Sequence, residues 1–149
     1  MEQEKEKIRN SRKRNAVIVA VIFIGLTLYQ IYSQDSSNVR LSFDKVKFTI
    51  RYQQENIQIP YSAIEKVTLE EVTDIGTLIK GDTTKDYQFG VWENSRWGRY
   101  VLCIYRTSRK CMVIETADMR YVVNGDTDQA SEAMYDQFLE LLGQIGQQS

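Results

Sequence analysis

Residues 16–32 read AVIVAVIFIGLTLYQIY, seventeen positions without a charge, inside a wider charge-free window of residues 15–34. As a helix rising 1.5 Å per residue, such a run reaches roughly 25–30 Å, close to the hydrocarbon thickness of a bilayer. It divides the chain into a short charged tail and a polar, strand-patterned remainder. The tail, residues 1–15, carries six Lys/Arg against three Glu, a net of +3. The rest carries thirteen Lys/Arg against seventeen Asp/Glu, a net of −4. A near-neutral total of −1 thus conceals opposite charge on the two sides of the apolar run. Cations crowd its front edge, and the back edge, residues 33–38, carries one anion and no cation. The positive-inside rule then puts the tail in the cytoplasm and the remainder outside, with Tyr29 and Tyr32 at the outer aromatic belt. A cleaved signal peptide is the rival reading, but the exit from the run is bulky and offers no small-residue cleavage site. A buried soluble helix is a third reading, weakened by the lack of a polar stripe before Thr27.

The expected organisation is a basic cytoplasmic tail (1–15), a transmembrane helix (16–34), a linker (35–44), a β-rich domain (45–145) and a short tail (146–149). From Lys45 the period becomes two: Val46, Phe48, Ile50 and Tyr52 alternate with Lys45, Lys47, Thr49 and Arg51, the pattern of a half-buried strand. A second strand runs through Ile57 and Ile59 to Pro60, the one proline, which ends it or marks an edge. A third covers residues 64–72. Residues 73–98 hold half of the eight glycines and one short strand near 87–93. Residues 99–106 and 111–116 read as a hairpin turning at 107–110, followed by a strand at 119–124. Seven short strands separated by turn signals point to a barrel or sandwich. At the end, Met134, Phe138, Leu141, Leu142 and Ile145 make one apolar stripe of an amphipathic helix over 127–145. Asp126 is the expected cap, with Gln129 in a capping-box position.

The chain has no histidine, which removes His-based acid–base chemistry, Ser-His and Cys-His nucleophile pairs and His-ligated zinc. Two cysteines, Cys103 and Cys111, are too few for a four-ligand zinc site. In the expected hairpin they point to opposite faces, so two buried thiols are expected rather than a disulfide. No cofactor or metal is expected. The acidic groups Glu70-Glu71-Asp74 and Asp82/Asp86 read as solvated charge rather than a carboxylate pair or calcium loop. A net-acidic domain suits nucleic acid poorly. The remaining candidate ligand-binding group is Trp92, Arg96, Trp97 and Arg99, aromatics beside cations, the chemistry of a glycan, lipid headgroup or peptide site. The alternative there is structural: Trp92 in the core and Trp97 covering a barrel mouth.

Several segments resemble the bacterial pleckstrin-homology-like domains. Ile57-Gln58-Ile59-Pro60-Tyr61-Ser62-Ala63-Ile64 is similar to their I-x-I-P-Y-S-x-I approach to the third strand. Ile75-Gly76, Gly81 and Phe89-Gly90-Val91-Trp92 resemble their glycine-punctuated middle. Tyr105-Arg106-Thr107, Val113-Ile114-Glu115-Thr116 and Tyr121-Val122-Val123 resemble the run of their last three strands. The similarity spans residues 45–145. It implies a seven-stranded, partly open antiparallel barrel capped by a C-terminal helix, and little about function. Phosphoinositide-binding members use cations on and after the first hairpin. Here that turn is Gln53-Gln54-Glu55-Asn56, and Lys45, Lys47 and Arg51 read as a solvated strand face. The expectation is therefore a single-pass, non-enzymatic interaction module at the outer face of the cytoplasmic membrane. It binds a protein partner or its own copies. The alternative is a lipid-headgroup or cell-wall glycan site at Trp97, Arg96 and Arg99.

Overall fold

The computed structural model describes Asn15 and residues 39–147. The chain divides after Ser36 into two units, and the domain described below belongs to the second. The basic tail and the expected span at 16–34 lie outside the described residues, Asn15 apart. Among the described residues no helix is long and apolar enough to cross a membrane.

The domain is mainly β, with nine strands in two sheets and one C-terminal helix. The small sheet is an antiparallel meander of β1 (Arg40–Phe43), β2 (Lys47–Tyr52) and β3 (Glu55–Pro60). A single 3-10 turn, Tyr61–Ala63, leads into β4 (Ile64–Glu71). Then come β5 (Thr77–Thr83), β6 (Tyr87–Asn94), β7 (Gly98–Tyr105), β8 (Lys110–Thr116), β9 (Arg120–Val123) and α1 (Asp128–Gln147). The large sheet has the order β4-β8-β9-β7-β6-β5.

Several expectations change here. Residues 40–43, expected in the linker, form β1 and pair with β2. Val46 is exposed, while Phe48, Ile50 and Tyr52 point into the core as the alternation requires. The segment Thr77–Thr83 is a ninth strand where irregular chain was expected. Its Lys, Gly and Asp are poor strand formers, and pairing with β6 overrides them. The expected hairpin of β7 on β8 does not form. Instead β9 lies between them, antiparallel to β8 and parallel to β7. The fold is therefore not the all-antiparallel, seven-stranded barrel that the resemblance implied.

Side-chain bonds from the end of β9 accompany that insertion. Asn124, 1% exposed, accepts the Tyr105 amide at 2.7 Å and donates to the carbonyls of Tyr105 (3.0 Å) and Ser108 (3.3 Å). Its side-chain amide thus satisfies backbone groups that a β7–β8 hairpin would pair. The connection 106–109 is also held from α1. The Asp128 carboxylate accepts the Ser108 hydroxyl (2.7 Å) and the amides of Arg109 (2.9 Å) and Lys110 (3.1 Å). Those bonds hold its carboxyl below the usual carboxylate range. The helix cap is Thr127, whose hydroxyl accepts the Ala130 amide at 3.1 Å; the expected cap, Asp126, is displaced by one residue.

Two apolar clusters form on opposite faces of the large sheet. On one face, Phe48, Ile50, Tyr52, Ile59 and Tyr61 meet Tyr87, Phe89, Cys103, Met112, Ile114 and Val123. α1 lies against β8 and β4 and inserts Phe138 among Phe43, Phe48 and Tyr61, with ring centroids at 5.6–5.7 Å. On the other face, Trp92, Tyr100, Leu102, Ile104, Cys111, Val113 and Val122 pack with Val72, Ile75, Leu78 and Trp97.

β4 and β5 are the outer strands of this sheet, run in the same direction, and are joined by only residues 72–76. A flat sheet would separate them by five spacings of about 4.8 Å plus the return along the strand, beyond the reach of six residue steps at about 3.5 Å each. Strong twist must bring these corners together. The strap 72–76 then crosses the second face, where the Tyr100 hydroxyl donates to the Ile75 carbonyl at 2.6 Å.

Candidate functional site

Trp92 and Trp97 belong to the same apolar cluster on the second sheet face. Trp92 is 6% exposed, and its buried indole N–H has no hydrogen-bond partner among the described residues. Trp97 is half-buried and meets Tyr100 edge-to-face at 5.1 Å. The Arg96 guanidinium lies 4.9 Å from its ring centroid, and Arg120 lies 5.5 Å away. Arg96 also pairs with Glu70 of β4 at 2.8 Å, and Arg120 pairs with Glu115 at 3.2 Å. Arg99 sits apart, across the hairpin from Glu93, which it pairs at 3.1 Å. The structure thus brings Trp92, Trp97 and Arg96 together and places Arg99 in a separate ion pair. Each arginine already has a carboxylate partner, so an anionic ligand here competes with an existing ion pair.

The acidic groups do not converge. Glu70 holds Arg96 and accepts the Thr68 hydroxyl at 2.9 Å, while Asp74 accepts the Gly76 amide at 2.9 Å within the strap. Among the described residues no group of acidic and thiol side chains is placed to hold a metal. Both cysteines are free and buried. Burial pushes each thiol up to about 12, so neither is a ready nucleophile at neutral pH. Their opposite-face placement follows from their membership of different clusters.

A feature that sequence reasoning missed lies on the first sheet face, where the small sheet meets β5, β6 and β7. A cleft of about 460 Å³ opens between the β2–β3 turn and the β5–β6 hairpin. Tyr52 stacks on Phe89 at 4.3 Å along one wall. The Tyr52 hydroxyl donates to the Asp82 carboxylate at 3.0 Å. Glu55 and Lys80 stand at the rim, both exposed, and Val91 and Val101 add apolar lining. Gly81 and Gly90 are register partners across the hairpin, at φ +147° and +135°. A Cβ on Gly90 would come within 2.1 Å of the Lys80 carbonyl oxygen, and one on Gly81 within 2.1 Å of that of Phe89. Only glycine permits this approach, and it leaves bare backbone lining the cleft. Gln53, at the turn beside it, has φ +51°, a left-handed conformation that costs a non-glycine residue energy. The one legible signal was the spacing of Gly81 and Gly90 about a turn, which carries no weight until β5 is recognised as a strand.

Comparison with protein-family models, with curated protein sequences and with solved structures finds no match in any of the three.

Proposed function

We propose that this chain is a single-pass membrane protein whose β domain is a non-enzymatic, pleckstrin-homology-like interaction module outside the cytoplasmic membrane, receiving a protein partner or a second copy of itself. The observation that carries this reading is the charge-free window 15–34 with cations on one side only, joined to a β domain that belongs to a separate unit. A mainly-β domain ended by one docked helix supports the family resemblance. The parallel β7–β9 pair and the count of nine strands weigh against it.

Binding rather than catalysis is favoured by the chemistry of the side chains. There is no histidine, the thiols are buried and held protonated, and the arginines near Trp97 are ion-paired. β1, β3, β4 and β5 end their sheets, and such outer strands accept an added strand. A headgroup or glycan site at Trp97, Arg96 and Arg99 is the second reading. It rests on the Arg96 guanidinium beside Trp97; Arg120, not Arg99, is the second cation on that ring.

Carbonate extraction of membranes, followed by amine labelling of intact cells with an impermeant reagent, tests the anchor and its orientation. The chain should stay with the membrane, and the domain lysines should label before lysis. Release by carbonate overturns the anchor, and labelling only after lysis overturns the orientation. Crosslinking in cells tests the module: an adduct of defined mass that persists in Trp97→Ala supports partner binding, and its loss in that variant supports the second reading.

A further inference from the structure

We infer that the cleft between the β2–β3 turn and the β5–β6 hairpin binds the ammonium end of a small organic cation with an apolar stem. Its volume, about 460 Å³, lies within the 300–1,000 Å³ usual for small-molecule sites. The wall is apolar: Tyr52 and Phe89, stacked on each other at 4.3 Å and buried, line it with Ile57, Val91 and Val101, which suit an apolar stem. Asp82 is half-buried within it. One of its oxygens accepts the Tyr52 hydroxyl, and a carboxylate has about four acceptor positions, so the group retains capacity for a cation. Glu55 adds a second carboxylate at the rim. Neither acid takes part in any of the four ion pairs among the described residues. Backbone at Gly81 and Gly90 also lines the cleft.

Among the described residues, Lys80 is the one cation of the lining. It lies two positions from Asp82 on β5, exposed, and in none of those ion pairs. It weakens binding of a bare ammonium and strengthens binding of a zwitterion whose anion sits a few bonds from the nitrogen. The shared chemistry, a substituted ammonium, has two sources: a free amine, or the choline head of a lipid. The inference stands on the cleft alone and is independent of whether residues 16–34 span a bilayer, which carbonate extraction answers separately.

The test is calorimetric titration of the full chain in a non-ionic detergent with hexylammonium and with hexanol, its neutral counterpart. Hexylammonium should bind at least about tenfold more tightly, and Asp82→Asn should remove that tenfold preference. The asparagine still accepts the Tyr52 hydroxyl, so the fold is retained; Glu55→Gln at the exposed rim serves as the second variant and should weaken binding in the same direction. Lys80→Gln should tighten hexylammonium. Dihexanoyl phosphatidylcholine against choline separates the sources. A lipid preference lost in Lys80→Gln assigns the headgroup, and equal binding assigns the free amine. Equal affinity for hexylammonium and hexanol, or binding of neither, overturns the inference, as does an Asp82→Asn variant that keeps the preference.

Discussion

Replacing Asn124 with alanine should destabilise the domain by about 3 kcal/mol, because its side chain makes three hydrogen bonds to backbone and each is worth about 1 kcal/mol net. The residue is 1% exposed, so water cannot freely replace the lost amide. The Tyr105 amide then faces a space with no acceptor, and leaving such a group unsatisfied costs roughly 1–3 kcal/mol. The perturbation is local to the gap between β7 and β8, so the slope of unfolding against urea should not change while the midpoint falls. Tryptophan fluorescence during urea unfolding of the full chain measures both. Amide exchange gives the residue-level check, since Tyr105 should lose protection before its neighbours in β7. Thr107→Ala is the control: its hydroxyl donates to the Asp126 carbonyl at 2.6 Å from an exposed position and should cost less than about 1 kcal/mol. A loss below about 1 kcal/mol for Asn124→Ala, or an unchanged Tyr105 exchange rate, would falsify the idea that this side chain holds β9 in place.

Three further outcomes follow from the packing and the charges. Phe138→Ala should cost about 3–5 kcal/mol, the usual range for a buried aromatic, because Phe138 is fully buried among three rings; a near-zero change in the urea midpoint refutes the docking of α1. Asp128 has its carboxyl lowered by the Ser108 hydroxyl and the amides of Lys110 and Arg109. Its contribution to stability is thus complete above the ordinary carboxylate range and is lost as pH falls through the lowered value. Asp128→Asn should flatten the acid limb of a stability–pH profile, and a profile that superimposes on the parent's shows that other carboxylates govern it. Cys103 and Cys111 should resist alkylation at neutral pH in the folded chain and react on unfolding, as read by mass; rapid double modification of the native protein contradicts their burial.

Much of the β domain can be read from residue order because its signals are local. Alternation marks β2, the β-branched and aromatic runs mark β7 and β8, and the stripe through Phe138 marks α1 and its buried face. The elements that escaped are those whose local signals are poor. β1 follows a polar stretch and is four residues long. β5 contains Lys80, Gly81 and Asp82, and acquires strand geometry only by pairing with β6. The candidate site shows the same division. Trp97 and Arg96 stand out as neighbouring aromatic and cation, yet the carboxylate that neutralises Arg96 comes from β4, more than twenty positions earlier. The cleft is built from β2, β3, β5, β6 and β7, and no continuous segment contains its chemistry.

Sequence by itself determined the charge asymmetry about the apolar run, the absence of histidine, the β character of the domain and the helix that ends it, because composition and periodicity act over a few residues. Tertiary structure decided which strands are neighbours. Adjacent strands with a short connection ordinarily pair, and here β9 lies between β7 and β8, while the buried Asn124 amide and the Asp128 carboxylate bond the backbone of the connection. Such bonds join residues sixteen to twenty positions apart, and their worth depends on burial, which does not exist until the chain has folded.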